Sequence, residues 1–411
     1  MRNRMLGAIG VAAIVLAVAG LVRMMRMSVH GQSPAEMEGG GAAVSTGPVL
    51  PAPKTAWGAP DLQGIWTDPY ETPLQRAAQY AGKEFFTEEE RAELDRQRAG
   101  LLRRDARAEL GTERDVSGAY NAVFQSVQPT GKRTSLIVDP PDGRLPALTP
   151  EAEKRVAAEQ EYRLALLAAT ETCKNREPEC AGGKYGPPSP RRAEMPPLYN
   201  TVAKNRNDNP EDRSMGERCM AAGLPDFGGY RRIVQSPKSV AILYDTGQGQ
   251  GWQRVIPVDA GPHLPAAIRL RFGDSRGRWE GDTLVVDVTN FSPKFNYLDS
   301  RETRHLVERW TRLDSNTIAY AVTVEDATAW MRPWTAKQEL IRQDERANRI
   351  YYEPRCHEGN YGLAAMLLGA RTEERAFARG EGPDPATKDT TIGFGNQGGA
   401  DALTGNSGSI F

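Results

Sequence analysis

From Arg231 onward, short runs of β-branched and aromatic residues alternate with turn signals about every ten residues, the spacing of strands in a sandwich or barrel. Eight runs read as strands: Arg232 to Gln235, Val240 to Tyr244, Gln253 to Val258, Thr283 to Thr289, His305 to Arg312, Thr317 to Val324, Thr335 to Ile341 and Arg349 to Glu353. Glu280-Gly281-Asp282 and Asp314-Ser315-Asn316 are short enough to be hairpin connections, which makes neighbouring strands antiparallel. Eight up-and-down strands close into a small barrel able to hold one ligand, and closure removes exposed edges. The expected fold is therefore mainly β, an eight-stranded antiparallel lipocalin-like barrel over residues 231–375, with a β-sandwich as the alternative. Gly64-Ile65-Trp66 is similar to the Gly-x-Trp of lipocalin first strands.

Ahead of this region, residues 57–230 read as a helix- and loop-rich part packing on the barrel. Trp57 to Trp66 is the first segment expected to be ordered. One helix opens at Thr87, with Glu90 three residues on in a capping box; a second opens at Thr149, with Pro150 in its first turn. Ser135 to Val138 reads as a short strand ended by Asp139-Pro140-Pro141-Asp142-Gly143, and Ala181 to Pro210, dense in Pro, Gly, Asn and charge, as a long loop. Residues 376–411 have the composition of a disordered tail.

The first 31 residues have a different pattern. Arg2 and Arg4 precede eighteen apolar or small residues, Met5 to Val22, the layout of an export signal. Arg23 and Arg26 follow at once, so the segment is either cleaved near Ser28-Val29-His30-Gly31 or kept as an inner-membrane anchor, since about 18 apolar residues just span a bilayer. Residues 32–56, rich in Gly, Ala, Pro and Ser, are a flexible linker. The protein is thus expected to be exported, periplasmic or secreted, and to meet a membrane only through its N-terminal segment.

Composition sharpens this picture at two points. The formal charge of -1 hides a basic leader; beyond residue 31 there are 48 basic and 53 acidic residues, which speaks against nucleic acid or an anionic membrane as partner. All four cysteines follow the leader, and an even number suits an oxidising compartment. Cys173 and Cys180 enclose a six-residue loop that a local disulfide would staple, leaving Cys219 and Cys356 to close a long one.

No Gly-x-Ser-x-Gly elbow, Walker loop or full Gly-x-Gly-x-x-Gly is present, and His357-Glu358 fails as a zincin motif because Tyr361 stands where the second histidine should be. The remaining candidates for chemistry are His263, His305 and His357, each with a carboxylate close in sequence: Asp259, Glu302 and Glu308, and Glu358. A histidine with a carboxylate on its second nitrogen acts as general base, and three converging imidazoles would bind zinc or iron. Strand alternation, however, sends His305 and Glu308 to opposite faces. Asp326, Trp330 and Trp334 flank one strand connection, where the rings would stack on a flat ligand at a barrel mouth or plug the barrel as core; Trp310 and Tyr361 complete the candidate ligand set. Arg276, Arg278 and Trp279 beside Asp274 read as a solvated hairpin with an ion pair.

Taken together, the motifs Gly273 to Val286 (GDSRGRWEGDTLVV), Val324 to Thr335 (VED followed by Trp330 and Pro333-Trp334-Thr335) and Cys356 to Gly362 (CHEGNYG) resemble a family of uncharacterised exported bacterial proteins over about residues 57–375. Ala327 and Met331 stand where Pro and Thr would be expected in that pattern. The resemblance implies export and a single unit, and transfers no activity and no catalytic residue. The function expected is binding of a small, largely apolar or aromatic-faced molecule, with acid/base chemistry at the histidines. A metal-dependent hydrolase or lyase using His263, His305 and His357, or a non-catalytic envelope protein, are the alternatives.

Overall fold

The computed structural model describes residues 50–102, 128–175, 185–220, 223–247, 250–344, 356–358 and 360–391. Ten strands form one antiparallel sheet: β1 (Gly64–Thr67), β2 (Ile137–Asp139), β3 (Tyr230–Ser236), β4 (Ser239–Gly247), β5 (Gln250–Pro257), β6 (Asp274–Glu280), β7 (Thr283–Thr289), β8 (His305–Arg312), β9 (Thr317–Glu325) and β10 (Trp334–Arg342). Nine follow the order β5-β4-β3-β1-β10-β9-β8-β7-β6, and β2 pairs with β10 beside β1. The outer members β5 and β6 meet where Val258 bridges Gly277 and Arg254 Nε donates to Ser275 Oγ at 3.0 Å, so the barrel is nearly closed.

The path holds nine strands rather than the eight expected: seven of the expected runs form strands, and β1 and β6 join them. The sequence of β6 reads as a solvated hairpin because its inward residues include Ser275 and Gly277, too small to mark a strand by hydrophobicity. A Cβ on Gly277 would lie 2.9 Å from Ile256 Cγ2, so the small residue lets β5 approach at the seam. β1 is only four residues long, yet it sits between β3 and β10 and puts Trp66 in the core. The expected strand Arg349 to Glu353 lies outside the described residues.

Alternation places the core. β9 shows it cleanly, with Ile318, Tyr320, Val322 and Val324 buried and the residues between them partly exposed. Burial of each such side chain contributes roughly 1.5–3 kcal/mol, which fixes the register because a one-residue slip would turn the set outward. The two barrel ends differ. Tight hairpins close one end, at Ser236–Ser239, at Gly281 with φ 60° between β6 and β7, and at 313–316. Long connections cover the other, among them 223–229, 290–304 and 326–333.

Helix α1 (Glu88–Leu102) has its capping box, Thr87 N donating to Glu90 Oε2 at 2.8 Å and Glu90 N to Thr87 Oγ1 at 3.2 Å. Helix α2 (Pro150–Ala165) is capped by Thr149, whose side chain accepts from Ala152 N. Two more helices, α3 (Glu171–Asn175) and α4 (Tyr361–Ala378), complete the set of α-helices among the described residues. Cys219 is bonded to Cys356, the long-range disulfide expected; Cys173 is buried and disulfide-bonded, and Cys180 lies outside the described residues. Order extends past Gly380, where a tail was expected: Thr390 N donates to Asn205 Oδ1, and Arg213 Nη2 to Thr390 O at 3.0 Å. Among the described residues no helix is long and apolar enough to cross a membrane; the segment Met5 to Val22 lies outside them.

Candidate functional site

The barrel carries two sets of ionisable groups, one inside and one on the outer face, that share strands β8 and β9. The inner set begins with a cross-strand row, Arg231 on β3, Tyr244 on β4 and Trp252 on β5, each paired with the next. Tyr244 stacks on Trp252 at 4.2 Å between ring centres, and Trp252 on Phe272 at 3.8 Å. Across the interior, Trp310, Tyr320 and Gln338 form the matching row on β8, β9 and β10, with the Trp310 and Tyr320 rings 4.3 Å apart. Between the rows, Glu308 is fully buried; Arg254 grips both its oxygens, and Tyr320 Oη donates to Oε1 at 2.9 Å.

The pKa directions follow from this enclosure. Burial pulls the Arg254 pKa down, but Glu308 and Tyr244 outweigh it and leave Arg254 above its ordinary value, firmly charged. Burial and the Glu308 charge raise Tyr320 well above the usual phenol value, so it remains a neutral donor. Asp226, ion-paired with Arg231 at 3.3 Å, is raised by burial against the pull of that arginine. Asp68, which accepts from Gln338 Nε2 at 3.0 Å, is pushed up to about 6, chiefly by burial.

Several buried donors in this interior have no partner: Arg231 Nε and Nη1, Trp252 Nε1 and Trp310 Nε1. Buried polar groups left unmade cost about 1–3 kcal/mol each, so such a set marks a place where a ligand or ordered water completes the bonding.

The outer set is a chain of five side chains. Asp274 Oδ2 lies 2.9 Å from His263 Nδ1, and His263 Nε2 lies 2.8 Å from Asp287 Oδ1. The second Asp287 oxygen is 3.1 Å from His305 Nε2, and His305 Nδ1 is 3.1 Å from Glu325 Oε2. β-sheet register builds it: His305 pairs directly with Glu325, and Asp287 is opposite Val307, next outward on the same face. Arg276 joins the edge, 3.2 Å from Asp274, and ties down the loop through Pro262 O at 3.0 Å. An ionised carboxylate only accepts, so four such bonds need protons on all four ring nitrogens, two more than neutral imidazoles carry. Burial disfavours the His305 charge, but its bonds with Glu325 and Asp287 prevail and raise its pKa.

The sequence candidates therefore separate. His305 and His263 meet through Asp287, on the outer face, while Glu308 faces inward, as strand alternation required. His357 and Glu358 are exposed in the turn after Cys356, and Tyr361 is 81% exposed at the start of α4. Asp326 holds the β9–β10 connection: it accepts from Ser300 Oγ at 2.6 Å, from Thr303 Oγ1 and from Thr328, and these bonds prevail over burial to lower its pKa. Trp330 and Trp334 are buried edge to face, 5.7 Å between ring centres, within the core cluster. Among the described residues no group of three or more His, Cys, Asp or Glu side chains is arranged to hold a metal ion.

Sequence reading missed Asp287, Glu325, Arg231, Arg254 and Tyr320. The available signal was a charged residue at an inward position beside apolar ones, Arg231 next to Ile233, Arg254 between Trp252 and Ile256, and Glu308 between Leu306 and Trp310. The three motifs map to the β6–β7 hairpin, the β9–β10 connection and the disulfide-to-α4 junction. Compared with known proteins, the chain matches no family model and no curated protein.

Proposed function

We propose that this is an exported ligand-binding barrel whose interior, at the loop end, takes a small molecule with an aromatic or apolar face. The observation that carries the reading is the set of unpartnered buried donors, Arg231 Nε and Nη1 and Trp252 Nε1, beside the stacked rings of Tyr244, Trp252 and Phe272. Stacked aromatic walls with a few placed polar groups are the usual make-up of small-molecule sites. Export is supported by the charged start and apolar run of residues 2–22 and by the Cys219–Cys356 disulfide.

The test is native mass spectrometry with elemental analysis on the full chain purified from the periplasm with its cysteines oxidised. A stoichiometric organic molecule that is lost in Trp252→Ala supports the reading. A metal retained by wild type and lost in His263→Ala and His305→Ala would overturn it in favour of metal chemistry on the outer face. A protein carrying neither, and unmoved in melting temperature by a library of aromatic small molecules, would overturn it in favour of a structural role.

A further inference from the structure

The connection 290–304, which covers the loop end, carries a further deeply buried guanidinium. Arg304 is 1% exposed and boxed by three rings, with its Cζ 4.1 Å from the centre of Phe291, 5.2 Å from Phe295 and 5.6 Å from Tyr297. Its side chain donates from Nη1 to Ser300 O at 3.3 Å, while Nε and Nη2 have no partner, and neither does the buried Tyr297 hydroxyl. No carboxylate among the described residues lies within ion-pair distance of it. Asp326, the acid whose charge it senses, has its oxygens occupied by Ser300, Thr303 and Thr328.

Rings around a guanidinium stabilise the cation from their faces but leave the in-plane N–H groups unsatisfied. Those groups form a planar fork that matches a carboxylate. Burial lowers the Arg304 pKa to about 9, which keeps the group charged at neutral pH. A charge enclosed without a counter-ion is a large penalty, and proteins tolerate one where a ligand supplies the counter-charge.

The box borders the proposed interior. Arg271 lies 5.5 Å from the Phe272 ring and 5.4 Å from the Phe295 ring, and Phe272 stacks on Trp252. Phe295 is seated against Gly223, where a Cβ would come within 1.8 Å of its ring. The cover is strained: Asn290, Leu298 and Asp299 all hold positive φ, at 58°, 50° and 71°. A leucine at positive φ is strained by its Cβ, a strain that opening of the segment would release.

From this geometry we infer that Arg304, with Tyr297, receives the carboxylate of the ligand, whose aromatic or apolar body extends toward Phe272 and Trp252; the ligand class is an aromatic or hydrophobic carboxylic acid. The inference rests on the ligand-binding reading and narrows it. On the general rule that removing an unpaired buried charge relieves its penalty, Arg304→Met, similar in length and apolar, should raise the melting temperature of ligand-free protein while abolishing its response to carboxylates.

The experiment measures thermal unfolding of the full disulfide-bonded chain, wild type and Arg304→Met, with benzoate, its neutral counterpart benzamide, and sulfate, after native mass spectrometry has established whether a ligand co-purifies. The expected result is a saturable upward shift with benzoate only, lost in Arg304→Met and weakened about tenfold in affinity in Arg304→Lys, or a co-purified acid that Arg304→Met no longer retains. A co-purified neutral molecule would overturn this inference and leave the binding reading standing. Equal responses to benzoate and benzamide, a larger response to sulfate, or a lower melting temperature for ligand-free Arg304→Met would each overturn it. A wild-type chain that carries no ligand and responds to none of the three would overturn it as well.

Discussion

The inner and outer faces of β5 to β9 hold the same kinds of charged groups under opposite conditions. Inside, Arg254 and Glu308 are 5% and 0% exposed, and each is satisfied by fixed partners, Ser275, Tyr244 and Tyr320. Outside, on β7 to β9, Asp287, His305 and Glu325 are about a third or more open to water and are joined in a chain of hydrogen bonds. In the low-dielectric interior a broken charge pair cannot be rescued by solvent, whereas at the outer face water screens the loss. The inner pair therefore governs whether the barrel holds together. The outer chain governs how it responds to pH and how firmly the loop bearing His263 is held on the sheet.

Removing one inner charge should have the largest effect. Glu308→Gln leaves Arg254 buried without its counter-ion and should cost about 3–5 kcal/mol, read as a fall in the urea midpoint. Exchanging both partners for apolar residues, Arg254→Met with Glu308→Leu, should recover most of that loss; a double variant no better than the single one would refute the charge argument. An outer substitution should be milder. Asp287→Asn removes the acceptor shared by His263 and His305 and should cost about 1 kcal/mol.

That cost should also depend on pH. Because the folded His305 pKa is raised, its charged links stabilise fully below the unfolded value of about 6.5 and fade as pH rises through the folded value. The gap between wild type and Asp287→Asn should accordingly be widest below about pH 6.5, while the carboxylates remain ionised, and should narrow in alkali. Urea midpoints over a pH series, with histidine ring nitrogen shifts by NMR, check this; a gap that widens with pH would contradict it. The smallest effect belongs to His357→Ala. Exposed in the turn after Cys356, it should change stability by no more than about 0.5 kcal/mol, and a larger loss in the same midpoint assay would mean that the histidines act as one group.

Much of the barrel was legible because a short β-branched or aromatic run between turn signals is a local property, and β3, β4, β5 and β7 to β10 each carry one. β6 escaped because the seam with β5 requires small inward residues, a demand set by a strand far away in sequence. The candidate site was legible only in part. Sequence neighbours of the histidines, Asp259, Glu302, Glu308 and Glu358, were the natural partners to expect, yet the partners found are Asp274, Asp287 and Glu325, joined across strands. Trp330 and Trp334 could be placed at one connection from sequence, but whether they face a ligand or each other depends on what packs around them.

By itself the sequence determined the antiparallel strands β3 to β5 and β7 to β10, the opposite facing of His305 and Glu308, and the caps at Thr87 and Thr149. These follow from short local runs, from alternation, and from side chains reaching two or three residues along the chain. Tertiary structure alone decided the ninth strand in the path, the histidine–carboxylate chain, the Arg254–Glu308 pair and the aromatic box around Arg304. The ninth strand, the chain and the pair join different strands or a strand and a distant loop, so register and barrel curvature set their distances; the box forms where one connection folds back on Arg304 against the barrel end.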